Sequence, residues 1–333
     1  MRKLPSLWVP GAAALAAAVF IAVQLSPWPS ALTIRLAFQI GGRQMNGALA
    51  SRVPAGIASQ PDQSYDPKDP RARLDVFYPA AATTEGNAHL TVVWIHGGGF
   101  LAGSKEDVAN YAKILAAGGY TVAGVDYSLA PEKTYPTPLR QVNAALAFLN
   151  REAARLHVDP GRMVLAGDSA GALIAAQLAN VITSPDYAAT LGIVPALRPE
   201  QLVGVLLYCG PYDVRPAKPG AAPGWFMRTV LWSYLGRRDF ADDPLLPTLR
   251  VVDYLTPQFP SSFISVGNAD SLSSQSHLLA AALRRLGVRV NTLFFDANHV
   301  PPLPHEYQFN LQTSEGQQAL AESLEFLATL SNN

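Results

Sequence analysis

Met163-Val-Leu-Ala-Gly-Asp-Ser-Ala-Gly-Ala172 changes character within ten residues. Met163 to Ala166 is a short apolar run, the mark of a buried strand, and Ala172 to Ile182 has the composition of a helix. Gly167 and Gly171 stand two residues to either side of Ser169. Strand and helix can then pass close together, with the serine on a sharp turn and its Oγ raised above the sheet edge. The free N–H groups and the dipole of the helix start favour negative charge developing there. G-x-S-x-G recurs by chance in long sequences; the strand before it and the helix after it are what give it meaning.

Further apolar runs bounded by turn residues lie on both sides: Leu74 to Tyr78, Leu90 to Ile95, Thr121 to Val125, Leu202 to Tyr208, Phe263 to Val266 and Val290 to Phe295. Helical spacing separates them, as in Leu139, Val142, Leu146, Leu149 and Ala153, and closes the chain in Leu320, Leu324 and Leu327. Ser104 with Asp107 reads as a helix start before Val108 to Ala117. Parallel strands need crossover connections, so the alternation predicts a mostly parallel sheet covered on both faces. The first two runs lie near enough for an antiparallel hairpin, and Val53 to Pro70, rich in Pro, Asp and Ser, reads as a linker or flap. About fifty residues part Tyr208 from Phe263, well beyond a usual connection. That insertion, about 211–258, carries an aromatic helix from Trp225 to Leu235 and reads as a cap over a pocket.

His96-Gly-Gly-Gly-Phe100 follows the run ending at Ile95. Consecutive glycines leave backbone N–H groups free to approach a ligand, as stabilisation of an oxyanion requires. His96 reads as a residue that orders this loop, because a catalytic base is expected late in the chain. HGGGF, GDSAGA and Tyr127-Ser-Leu-Ala-Pro-Glu132 together resemble the hormone-sensitive-lipase family of α/β-hydrolases. The resemblance covers Leu74 to the C-terminus. It implies a doubly wound, mostly parallel eight-stranded sheet with a helical cap, Ser169 as nucleophile, and the backbone N–H groups of Gly98, Gly99 and Ala170 as the oxyanion hole. Ser128 stands where that family has Arg, and Ala172 where a third glycine is commoner.

A nucleophilic serine needs a base and a carboxylate that orients it, in the chain order Ser, Asp or Glu, His. Asp270 follows the run Phe263 to Val266 in a segment similar to the family's D-P-L loop, with Ser271 for Pro; it would also serve as a helix cap. Asp213 and Asp296 are weaker candidates. His299 lies four residues past Phe295 and is the expected base. His305 is the alternative, because the family's histidine is followed by Gly-Phe and His299 is followed by Val-Pro-Pro. His277 and His157 read as solvated or packed, and Glu306 beside His305 lacks the partners of a metal site.

The chain has 333 residues, 49% of them hydrophobic and 15% charged, with 25 basic and 25 acidic side chains. It can bury a sizeable core, and the balanced charge argues against a nucleic-acid partner. Cys209 is the sole cysteine, which excludes an internal disulfide. Arg2 and Lys3 precede an apolar run from Leu7 to Leu25, long enough to be an uncleaved membrane anchor; cleaved, it would leave a secreted protein. The basic flank puts the remainder outside the cytoplasm. Residues 1–30 are therefore expected to be the anchor, 31–70 a cap or flap, and 71–333 the catalytic domain. The expected activity is hydrolysis of apolar short- to medium-chain esters through an acyl-enzyme, with no cofactor or metal. Amide or deacetylase chemistry on the same residues, or a ligand-binding receptor of this fold, are the alternatives.

Overall fold

The computed structural model describes residues 8–83, 89–214 and 224–331. Eight strands form one sheet: β1 (Ile57–Ser64), β2 (Arg73–Pro79), β3 (His89–Ile95), β4 (Thr121–Val125), β5 (Val158–Asp168), β6 (Leu202–Tyr208), β7 (Ser261–Val266) and β8 (Val290–Phe294). Their order is β1-β2-β4-β3-β5-β6-β7-β8. β2 is antiparallel to β1 and to β4, and every pair from β4 to β8 is parallel. The doubly wound, mostly parallel α/β sheet is thus as expected.

Strands in such a sheet are covered on both faces, so their sequences are apolar without interruption and successive side chains divide between two cores. On β3, Val93 and Ile95 enter one core while Val92 and Trp94 enter the other; on β5, Met163 and Leu165 part from Val164 and Ala166 in the same way. The described helices are α1 (Trp8–Leu25), α2 (Trp28–Leu49), α3 (Ala109–Ala116), α4 (Thr137–Arg151), α5 (Ala170–Thr183), α6 (Pro185–Leu191), α7 (Trp225–Leu235), α8 (Ser273–Arg285) and α9 (Ser314–Ser331). α4, α5 and α8 cover the first core, α3 and α9 the second. Every residue of α5 is buried, and a Cβ on Gly171 would overlap the Ile95 carbonyl, so glycine there lets helix and sheet meet.

Two readings are corrected. Residues 57–64, taken within Val53 to Pro70 as linker, form edge strand β1; its polar composition and Pro61 hid it, and both suit an edge that has one neighbour. β2 and β3 make no hairpin, because β4 lies between them. The N-terminal apolar run forms one helix, α1, as far as Leu25; beyond it the chain turns sharply, and Ala16–Leu25 meets Trp28–Arg52 at 95°. Among the described residues no single helix is long and apolar enough to cross a membrane. Arg2, Lys3 and Leu7, and residues 215–223 of the expected insertion, lie outside the described residues.

α2 is fastened to the body through Arg35. Its Nε donates to the Leu101 carbonyl (2.6 Å), one terminal nitrogen to the Ala130 carbonyl (2.8 Å), and both terminal nitrogens to Glu132 (2.5 and 2.7 Å). Asn46, further along α2, accepts two hydrogen bonds from Asn110 (2.9 and 2.8 Å). Hydrogen bonds to charged groups contribute about 1.5–3 kcal/mol. Arg35→Ala is therefore expected to lower stability by roughly 2–3 kcal/mol, read as an earlier midpoint in urea denaturation.

Candidate active site

Four loops gather at the C-terminal edge of the parallel strands, where ligands bind in sheets of this kind. Ser169 sits between β5 and α5 with φ +50° and ψ −118°, a conformation forced on an L-residue by the tight turn. Its N–H donates to the Tyr208 carbonyl (2.9 Å), which fixes the turn against β6. Gly98 and Gly99 follow β3 with φ +102° and +60°, values that only glycine adopts without strain. With Ser169 and Ala170 they line one cavity of about 580 Å³.

His96 orders this loop, as expected. Its Nδ1 donates to the Gly97 carbonyl (2.8 Å), its ring stacks on Tyr127 at 4.3 Å, and the Tyr127 hydroxyl donates to the His96 carbonyl (2.9 Å). Burial pushes its pKa down to about 4, so the ring is neutral at neutral pH.

The residue beside the serine is His305, not His299. His305 Nε2 lies 2.9 Å from Ser169 Oγ, and its Nδ1 lies 2.7 Å from Asp270 Oδ2. With Nδ1–H donating to the carboxylate, Nε2 is left to accept the serine proton. Asp270 is buried just past β7, where its Oδ1 also accepts the Leu272 N–H (2.8 Å). His299 turns the other way, its ring 2.9 Å from Glu315 Oε1 on α9 and against Phe295. The loop after β8 is longer than expected because it is laced to the loop carrying the acid. Asn268 Oδ1 accepts from Leu303 N–H (2.8 Å), the Asn268 amide donates to the His299 carbonyl (3.1 Å), and a Cβ on Gly267 would overlap the Leu303 carbonyl. Only after that contact does the chain reach the serine.

A signal for His305 was present. Tyr307 stands two residues after it, like the aromatic of the family's His-Gly-Phe, and Glu306 occupies the glycine position with φ +60°. The other candidates stand apart. Asp213 pairs with Arg250 (2.9 Å), His277 packs on the Phe294 ring (4.1 Å) and His157 on Tyr78 (4.2 Å). The Asp296 carbonyl accepts the His299 N–H (2.8 Å).

Charge around His305 is unusual. Burial by itself would lower the imidazole pKa, but the Cys209 sulfur, the Asp270 carboxylate and Glu306 outweigh it and raise the pKa. Burial also raises the Cys209 thiol, keeping it neutral at neutral pH, so the two carboxyl groups carry the effect. Glu306 Oε1 is 3.8 Å from His305 Nε2 and also meets Asp168, which accepts from Trp94 Nε1 (2.8 Å). Burial, and then their mutual repulsion, pushes the Asp168 pKa well up; burial raises Glu306 against the pull of His305. Burial thus pushes both carboxyl groups toward the neutral form, an arrangement that no local pattern announces. Donor atoms of Cys209, Asp270 and His305 lie within 4.8 Å of one another, but two of the three are already committed to each other.

α2 and α7 cover the site. Phe38 of α2 and Phe226 of α7 both line the cavity, their rings 6.0 Å apart, joined by Met45, Met227, Val230 and Leu231. The roof thus comes from two segments far apart in the sequence, α2 near the start of the chain and the aromatic helix α7 between β6 and β7.

A parallel sheet with a serine elbow, a glycine loop on the neighbouring strand and a histidine–aspartate pair from the last two loops defines a hydrolase class. Residues 92–300 match the alpha/beta hydrolase fold, and the chain belongs to that family. Esterase B from Lactobacillus rhamnosis is 26% identical, with a TM-score of 0.74 over 91% of this chain and 96% of that one. The same esterase inhibited by a C4-C4 SN3 tributyrin phosphonate matches at 24% identity and TM-score 0.75, over 91% and 96% of the two chains. The hyperthermophilic esterase of Pyrobaculum calidifontis is similar at 22% identity and TM-score 0.71, over 93% and 95%.

Proposed function

We propose that this protein is a serine carboxylic-ester hydrolase acting on apolar short- to medium-chain esters. The observation that carries this reading is the hydrogen-bonded series Ser169 Oγ, His305 Nε2, His305 Nδ1, Asp270 Oδ2. His305 takes the serine proton as Oγ attacks the ester carbonyl, while Asp270 holds the tautomer and stabilises the imidazolium. The N–H groups of Gly98, Gly99 and Ala170 receive the oxyanion, each such donor being worth about 2.7–4 kcal/mol in the transition state. His305 then protonates the leaving alcohol, and water attacks the acyl-enzyme with the same base. The apolar cavity and the esterase activity named for the similar structures support an ester with an apolar chain. We also take α1 to be a membrane anchor or leader, with the body on the side away from the cytoplasm, as Arg2 and Lys3 before it favour.

The test is a chain-length series of p-nitrophenyl esters, with the matching anilides beside them and Ser169→Ala as control. Esters cleaved faster than anilides, with a maximum at short to medium chains, support the reading; no Ser169-dependent cleavage of any ester rejects it.

The base works only when neutral, and the surrounding negative charge raises its pKa. Activity is therefore expected to fall as pH drops through a value above the ordinary imidazole figure of about 6.5. Glu306→Gln removes one source of that charge, so its acid limb should move to lower pH, visible in kcat/KM against pH. An unmoved limb would show that Glu306 does not act on the base.

A further inference from the structure

α2 has two apolar sides. Ala31 and Ile34 are buried against the body and Phe38 lines the cavity, which accounts for one side. Trp28, Leu32, Leu36 and Ile40, spaced four apart along the other, are 41%, 49%, 62% and 50% exposed. Trp225, which opens α7 next to the cavity-lining Phe226, is 58% exposed. Among the described residues the large apolar side chains left open cluster on α1, α2 and the start of α7; elsewhere there are Val194 and Val300. A soluble surface scatters such residues singly.

Charge and geometry say what covers this rim. The first acidic residue of the chain is Asp62; before it the exposed Arg43 and Arg52 stand near and just beyond the end of α2, while Arg35 is held by Glu132. An apolar helix face in a basic, acid-free segment is the composition that binds anionic lipid. Ala16 to Ile21 of α1 are exposed, and α1 meets α2 at 95°. A helix entering a bilayer along its normal would thus leave α2 lying in the membrane plane, with Trp28 at the depth aromatic residues prefer.

We propose that the cavity mouth between α2 and α7 rests on an anionic lipid surface, and that the ester reaches Ser169 from the bilayer through the cavity that Phe38 and Phe226 line. This rests on the ester-hydrolase reading and names where that substrate is held: a lipophilic ester dissolved in membrane.

The test compares two substrates on the full chain reconstituted in vesicles: p-nitrophenyl laurate dissolved in the lipid, and p-nitrophenyl acetate in the water. Leu32→Asp/Leu36→Asp and, separately, Trp225→Asp leave α1 in place, so tethering is the same throughout. Each is expected to cut laurate turnover by about tenfold or more, the effect of losing a kcal/mol or two of lipid contact, while acetate turnover stays within about twofold. For the unaltered protein, laurate turnover should be faster in vesicles of phosphatidylcholine mixed with phosphatidylglycerol than in phosphatidylcholine alone. Unchanged laurate turnover in both variants overturns the proposal, and so does a parallel loss on both substrates. A detergent-solubilised dimer that Leu32→Asp/Leu36→Asp splits would overturn it in favour of self-association. Failure of the unaltered protein on acetate would instead overturn the ester-hydrolase reading.

Discussion

His305→Ala is expected to lower kcat on a soluble ester by about 10⁴–10⁶-fold, and His299→Ala to leave it within a few-fold. The contrast follows from the two rings' partners. Nε2 of His305 is the group placed to take the Ser169 proton, and without it the hydroxyl must attack at its own high pKa. Nε2 of His299 is engaged with Glu315, on the far side of the loop. His299→Ala should show itself in stability, since it frees the β8–α9 connection from one hydrogen bond worth about 1 kcal/mol. Steady-state kinetics on both purified variants decide the matter, with a denaturation curve confirming that each is folded. Full activity in His305→Ala would remove the mechanism proposed for this site.

Ser169→Ala should cost about as much as His305→Ala, because members of such a unit fail together, and combining the two changes should add little. About 10³–10⁴-fold acceleration over water can survive from the oxyanion donors and binding alone. A phosphonate ester gives a readout independent of turnover: it should add covalently to Ser169 and, by mass spectrometry, leave Ser169→Ala unmodified. The methyl of alanine fits within the volume of the serine side chain, so the unusual backbone at 169 is kept and folding should be close to unaltered. Labelling at another residue, or undiminished turnover, would mean that the elbow serine is not the nucleophile.

The parts of this protein legible in its sequence are those where a local pattern and its tertiary setting demand the same residues. Met163 to Gly171 had to be read as strand, turn and helix, because a buried strand, a positive-φ serine and a glycine against Ile95 leave few other solutions. His96-Gly-Gly-Gly was legible for the same reason. Asp270 was found because it closely follows its strand. Loop length alone points to His299 and not His305, because the loop's path is set by Asn268 and Gly267 on the neighbouring connection, far off in the sequence. β1 was missed because an edge strand may be polar and carry proline. The Asp168–Glu306 pair joins an elbow residue to one 138 positions later, and no periodicity signals such a meeting.

The attachment of α2 through Arg35 bears on how a tethered and a released form of this protein would differ. Proteolysis at the Ser26–Pro27 break would shed α1 and keep every contact of Arg35, giving a diffusible form with a complete pocket. Proteolysis beyond Arg35 would instead carry off one wall of the cavity with the leader. A cut anywhere between Leu25 and the first buried residues of α2 would thus part the body from α1 without touching the chemistry of the site.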